Sequence, residues 1–146
     1  MAATSITRLR IRKWRYLPAF LYRAYLAQRQ AAASDGFLGG YVATSRRLAF
    51  WTVTVWRDAA AMHAYRRAGM HLRAMPHLFR WADESSMTML DDAGHEPPSP
   101  EDAARLLGEH GRMTKVRFPS EDQRLGRPWP DGAVPRPTQN IRPLRR

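Results

Sequence analysis

Nine consecutive residues constrain this chain more than any others: Leu48 to Trp56, LAFWTVTVW. β-Branched and aromatic side chains fill the run and no charge interrupts it, the composition that suits a pleated, half-buried surface. Alternation puts Trp51, Val53 and Val55 on one face and Phe50, Thr52, Thr54 and Trp56 on the other. The uniformly apolar set is expected under helices and the set mixing rings with hydroxyls on the opposite side. A one-residue slip of register reverses the two. Phe37 to Thr44 reads as a second strand, and only Ser45-Arg46-Arg47 separates it from the first, so the pair forms an antiparallel hairpin. Gly39 and Gly40 mark a bulge or a close approach of another backbone.

Around this hairpin the remaining elements fall into order. Ile6 to Trp14 alternates Arg8, Arg10 and Arg12 with Leu9 and Ile11, a strand with one buried face. Pro18 suits a helical first turn, and Ala19 to Ala33 carries apolar residues at helical spacing. Asp58 is an N-cap for a helix over Ala59 to Ala68. Gly69 interrupts, Met70 to Met75 makes a further turn, and Pro76 opens a short helix to Trp81. Ser85 to Leu90 is the fourth strand. This is the ferredoxin-like βαββαβ order. From Asp91 the chain turns polar and proline-rich. A helix opened by Ser99 or Pro100 runs to His110, Met113 to Phe118 suits an extra strand, and an extended arm follows Pro119. The expectation is one α+β domain: a core over 1–92 and an extension over 93–146 belonging to it. With both helices on one face, the other face would be bare. Exposing apolar surface costs about 25 cal/mol per Å². Two copies are therefore expected to pair face to face as a homodimer, a dimeric α/β barrel that leaves a mostly apolar pocket.

Composition narrows the function. There is no cysteine, which excludes disulfides, thiolate catalysis and cysteine-based metal sites. No apolar run reaches the ~20 residues that span a bilayer, and the start lacks a charged-then-apolar leader. A cytoplasmic protein without a membrane partner is expected. The formal charge is +11, yet only Lys13 and Lys115 are lysines, the mark of an arginine-rich codon bias. The basic residues are spread out, with one cluster over Arg8, Arg10, Arg12, Lys13 and Arg15 and a loose tail ending in Arg145 and Arg146. No nucleic-acid motif accompanies them, so salt-sensitive binding to anions is expected and no specific nucleic acid. Neither a Gly-x-Gly-x-x-Gly loop nor a nucleophilic-serine elbow is present, which disfavours NAD, ATP and acyl-enzyme chemistry.

His71 leads the candidate catalytic groups. An imidazole there serves as general acid or base near neutral pH, or as an axial ligand to haem iron. The competing role is to cap or bridge helix ends. Arg73 offers a bidentate donor to a carboxylate or phenolate, or simply a solvated side chain. His77 lies six residues after His71, which is not a one-helix ligand spacing, and no carboxylate cluster joins them. No metal is therefore expected unless haem binds at His71. Phe50, Thr52, Thr54 and Trp56 either line a cavity or pack a dimer. Tyr41, on the glycine-containing strand, and His77 complete the candidate substrate contacts. Tyr22 and Tyr25 suit a lid or lining, Phe79 and Trp81 the core. Asp83 and Glu84 form an acidic pair before the last strand that reads first as a solvated loop or a cap and, as the alternative, as a catalytic carboxylate.

The stretch from Phe50 to Leu90, FWTVTVWRDAAAMHAYRRAGMHLRAMPHLFRWADESSMTML, resembles the antibiotic-biosynthesis-monooxygenase-like superfamily. Within it, the stretch is most similar to bacterial members related to spheroidene monooxygenase. The shared features are a strand ending in Val-Trp, an acidic residue, an Ala-Met helix and a block formed here by Gly69, His71, Arg73 and Met75. The segment from Gly111 to Ser120 resembles the tail of those proteins. The resemblance implies a dimeric α/β barrel and a small organic substrate. The superfamily includes cofactor-independent oxygenases of polyketides, haem-dependent enzymes and non-redox isomerases or cyclases. The function it implies is a monooxygenase-like tailoring enzyme acting on an apolar specialised metabolite in a buried pocket, with either no cofactor or haem. The alternatives are a haem-binding oxygenase with His71 as axial ligand, and a cyclase, isomerase or ligand-binding module on the same fold.

Overall fold

The computed structural model of the chain describes residues 1–91 and 94–144, except for the side chains of Met70 and His71. The core runs β1 (Ala3–Ile11), α1 (Leu17–Ala33), β2 (Phe37–Ser45), β3 (Ala49–Trp56), α2 (Ala59–Arg66), α3 (Gly69–Trp81) and β4 (Ala82–Asp91). The extension adds α4 (Pro100–His110), β5 (Arg112–Met113), α5 (Glu121–Arg124) and β6 (Arg136–Ile141). The six strands form one antiparallel sheet in the order β5-β4-β1-β3-β2-β6. Its inner four strands are the ferredoxin-like sheet, and the extension lengthens it at both edges.

Several local expectations shift. The first strand begins at Ala3 and ends at Ile11, because a 3₁₀ turn over Trp14–Tyr16 leads directly into α1. Leu48 belongs to the hairpin turn, where it and Arg47 hold φ of 63° and 57°. Asp58 does cap α2, accepting from the Ala61 backbone N–H at 2.8 Å. Gly69 separates α2 from α3 at a φ of 58°, and a Cβ there would press on Gln30. From Gly69 to Trp81 the helix is continuous through Pro76. Leu72 and Pro76 lie on its exposed side, where the carbonyl left without a proline N–H is not buried. Of the 113–118 stretch only Met113 pairs as strand, together with Arg112 before it, and the arm is ordered on the body as α5 and β6.

The larger correction concerns the faces of the sheet. Trp51 and Val53 point away from α1 and α3, into a cluster with Ile6, Tyr41 and Ala43 that α4 covers with Ala103, Ala104 and Leu107. Trp56 points to the α1/α2 side, in a second cluster with Ala31, Phe37 and Met62. The assignment drawn from side-chain type is thus reversed. The face expected to be bare is covered within the chain: α4 is capped by Ser99, carries small residues where it meets the sheet, and is closed at its edge by Leu106 and Trp129. The apolar surface that argued for sheet-to-sheet pairing of two copies is occupied by the extension.

Charge is buried on that same face. Arg8, expected on an outer face, is 2% exposed and donates to Glu84 at 2.8 Å. Glu84 is not a solvated loop residue: it also accepts from Ser120 Oγ at 2.7 Å and lies 3.4 Å from Arg10. Asp83 pairs in bidentate fashion with Arg10, and this pairing holds the Arg10 guanidinium pKa above its ordinary value against the opposing effect of burial. The network pins the extension to β1 and β4.

Candidate functional site

On the other face, short side chains meet short side chains. The sheet presents Ser5 opposite Thr54 and Thr7 opposite Thr52, paired across β1 and β3. Above them α1 presents Ala24, Ala27 and Ala31. Alanines over serines and threonines cannot fill the gap between helix and sheet, so a cavity of about 750 Å³ remains. That is within the range of small-molecule sites, roughly 300–1,000 Å³. Larger groups close its ends. Trp56 stacks on Tyr65 at 5.0 Å and meets Phe37 edge-on at 5.1 Å, while Phe20 packs on Phe50 at 4.9 Å. The mouth lies between α1 and α3, where Leu21, Tyr25, Met75 and Phe79 both line the cavity and are 40–50% exposed.

Thr54 Oγ1 accepts from Trp56 Nε1 at 3.0 Å, which fixes the indole as an end wall. The Tyr65 hydroxyl donates to the Ala27 carbonyl at 3.1 Å, and burial pushes its phenol pKa up, so it stays neutral. Arg66 reaches along the lining with its guanidinium 3.3 Å from Met89 Sδ and 3.5 Å from Met87 Sδ. Burial and the neighbouring Arg112 lower its pKa, yet an arginine remains cationic at neutral pH. The described lining thus combines hydroxyls, amides, phenols and cations, with no carboxylate and no imidazole among them.

The extension completes the walls. Thr114, Lys115 and Val116 line one side, and Thr138, Gln139 and Ile141 of β6 line another. The first of these is held by Gln123, whose carboxamide accepts from Ser85 N at 2.9 Å and donates to Thr114 O at 2.7 Å. Thr114 Oγ1 also hydrogen-bonds Ser85 Oγ. Sequence reasoning missed this contribution, since nothing in a loose, arginine-rich tail signals a cavity wall.

Of the candidate residues, Phe50, Thr52, Thr54 and Trp56 meet in this cavity. Tyr41 does not: it faces α4 and donates to the Pro98 carbonyl at 2.8 Å. Burial, with Glu101 and Asp102 nearby, pushes its pKa up to about 12. His77 stacks on Trp81 at 5.1 Å, outside the lining. Arg73 is exposed on α3 and also lies outside it. The His71 side chain lies outside the described residues. No described lining residue offers an imidazole or thiolate for haem iron, so the haem expectation rests on His71 alone. Among the described residues no group of histidines and carboxylates is arranged to hold a metal ion.

No protein-family model and no curated protein sequence matches the chain. Solved structures match by fold. SnoaB, a cofactor-independent oxygenase from Streptomyces nogalater, aligns with a TM-score of 0.54 at 15% identity, over 64% of this chain and 94% of its own. Rv0793 from Mycobacterium tuberculosis aligns at 0.58 and 14% identity, over 64% of this chain and 97% of its own. A protein described as an antibiotic biosynthesis monooxygenase aligns at 0.56 and 14% identity, over 63% and 99%. The chain therefore has the ferredoxin-like fold of antibiotic-biosynthesis-monooxygenase-like proteins. These three are matched nearly end to end, and the remainder of this chain has no counterpart in them.

Proposed function

We propose that this chain is a monooxygenase-like tailoring enzyme whose substrate is a flat, largely apolar organic molecule with oxygens along one edge. The observation that carries the reading is the cavity itself: about 750 Å³, roofed by alanines and aromatic rings and floored by the hydroxyls of Ser5, Thr7, Thr52 and Thr54. Such a floor binds hydroxyl or carbonyl oxygens, and Phe50 and Trp56 hold the faces of a ring system. The Arg66 guanidinium supplies a positive potential in a partly desolvated site, which favours the enolate or phenolate form of a bound substrate. A substrate carbanion so formed transfers two electrons to dioxygen. A C–O bond forms, and the hydroperoxide loses water to leave a carbonyl, so a CH₂ group and O₂ become C=O and H₂O. The fold shared with a cofactor-independent oxygenase supports this reading.

The lack of a carboxylate or imidazole among the described lining residues favours a second reading: a cyclase, isomerase or binding module that acts by shape alone. One experiment separates the two. Hydroxylated polycyclic aromatics are titrated against the protein by tryptophan fluorescence while oxygen uptake is recorded. Binding with uptake supports the oxygenase, and binding without uptake the shape-only reading. Loss of one neutral hydrogen bond in Thr52→Val should weaken binding about fivefold. Failure of every such molecule to bind would remove the cavity reading.

A further inference from the structure

The mouth of the cavity sits in a surface of unusual character. Three segments build it: residues 12–34, residues 69–82 and residues 111–119. Together they contain ten arginines and lysines and no aspartate or glutamate. Lys13, Arg15, Arg80, Lys115 and Arg117 are exposed. Apolar groups are exposed among them: Trp14 at 73%, Phe118 at 48%, and Leu21, Tyr25, Met75 and Phe79 around the opening. The segments meet in space. Arg12 lies over the Phe118 ring at 4.4 Å and over Tyr16 at 5.3 Å, and the Arg117 backbone N–H donates to Phe79 O at 2.8 Å. The carboxylates that flank these segments in sequence are Asp35, which pairs with Arg57, Asp83, which is bound by Arg10, Glu109, which pairs with Arg105, and Glu121.

We infer that this face docks on an anionic lipid surface, so that the cavity opens toward the bilayer. Cations alone would suit any polyanion. The exposed groups here include aliphatic side chains, which a membrane interface buries and a nucleic-acid strand does not use. Trp14, flanked by Lys13 and Arg15, has the character of an interfacial anchor. The apolar rim is continuous with the cavity lining, a route by which a lipid-dissolved molecule passes from bilayer to pocket without crossing water. Peripheral docking requires no spanning helix, and among the described residues no helix is long and apolar enough to cross a membrane. The expectation of no membrane partner followed from the lack of a spanning run and of a leader, and neither bears on peripheral docking. The inference uses the cavity reading to explain the position of the patch, but docking is measured without any substrate, so the two fail separately.

The test is co-sedimentation of the full chain with phosphatidylcholine vesicles and with vesicles containing phosphatidylglycerol, at low and high salt. Binding is expected only to the anionic vesicles, with a blue shift of tryptophan emission, and should weaken as the Debye length falls from about 10 Å at 0.1 M to about 3 Å at 1 M. Each cation near a charged bilayer contributes roughly fivefold in partitioning, so Lys13→Glu with Arg15→Glu should lower it about 25-fold or more. Trp14→Ser should abolish the emission shift that Trp14 contributes. Absence of binding to anionic vesicles at low salt would overturn the inference, as would equal binding to neutral vesicles. It would also be overturned by displacement from vesicles by a single-stranded oligonucleotide whose binding ignores Trp14→Ser, or by a dimer in solution that Trp14→Ser dissociates.

Discussion

Replacing Glu84 by glutamine tests how the extension is fastened to the second face of the sheet. Arg8 and Glu84 are each 2% exposed and meet at 2.8 Å. Arg8 has one further carboxylate, Asp131, at 3.6 Å, and its Nε has no hydrogen-bond partner. Glutamine preserves the shape but leaves the guanidinium charge buried with only that weak, partly exposed counterion. It also turns an amide N–H₂ toward Ser120 or Arg10, where an acceptor stood. Breaking one side of a buried pair costs about 3–5 kcal/mol, a large share of the ~5–15 kcal/mol that holds a domain together. At roughly 2–4 °C per kcal/mol for a chain of this size, the melting temperature should fall by about 10 °C. Urea unfolding followed by tryptophan fluorescence measures the change, and limited proteolysis should show earlier cleavage after residue 111. Ser120→Ala removes the hydrogen bond to Glu84 and also the cap that Ser120 Oγ offers the Gln123 backbone N–H at 3.1 Å, and should cost about 2 kcal/mol or more. A double replacement, Arg8→Met with Glu84→Leu, should recover most of the lost stability, because it removes both charges. A midpoint in Glu84→Gln within about 0.5 kcal/mol of the parent chain, the ordinary range for surface substitutions, would refute the reasoning.

Two further outcomes follow from particular residues. Gly40 lies against β3 so closely that a Cβ would fall on the Val53 carbonyl oxygen and within 3.1 Å of Thr54 Cα. Backbone cannot yield there, so Gly40→Ala should cost about 3 kcal/mol or more, seen as lost solubility or a flattened thermal transition; an unchanged transition would show that the strands can part. Tyr41 has its phenol pKa raised to about 12 by burial and by Glu101 and Asp102. Its folded-state value lies above the unfolded value near 10, so its contribution to stability is intact below pH ~10 and is lost as pH rises toward 12. Tyr41→Phe should flatten the fall of stability across that window, and an identical alkaline profile in the two proteins would contradict the placement.

Much of the architecture is legible in the chain itself. Alternation in LAFWTVTVW, the short link to Phe37–Ser45, the Asp58 cap and the helical spacing before Ser34 determine a βαββαβ order, because each depends on neighbours within a few residues. The four residues of one β3 face that meet in the cavity were likewise grouped by period alone. Which layer covers each face is a different matter. Period two divides a strand into two sets but carries no information about what lies above them. That was decided by α4, whose small residues Ala103 and Ala104 let it lie against Trp51, Tyr41 and Ile6 from more than forty residues away. The same holds for Arg8 and Glu84, which read as solvated charges until β1 and β4 pair and Ser120 closes over them. Tyr41 shares a strand with cavity residues but faces α4, and His77 shares a helix with Met75 but turns to Trp81. The cavity itself exists only in three dimensions. It is the volume left where the alanines of α1 stand over the hydroxyls of β1 and β3, and neither set signals a void until the helix is laid across the sheet.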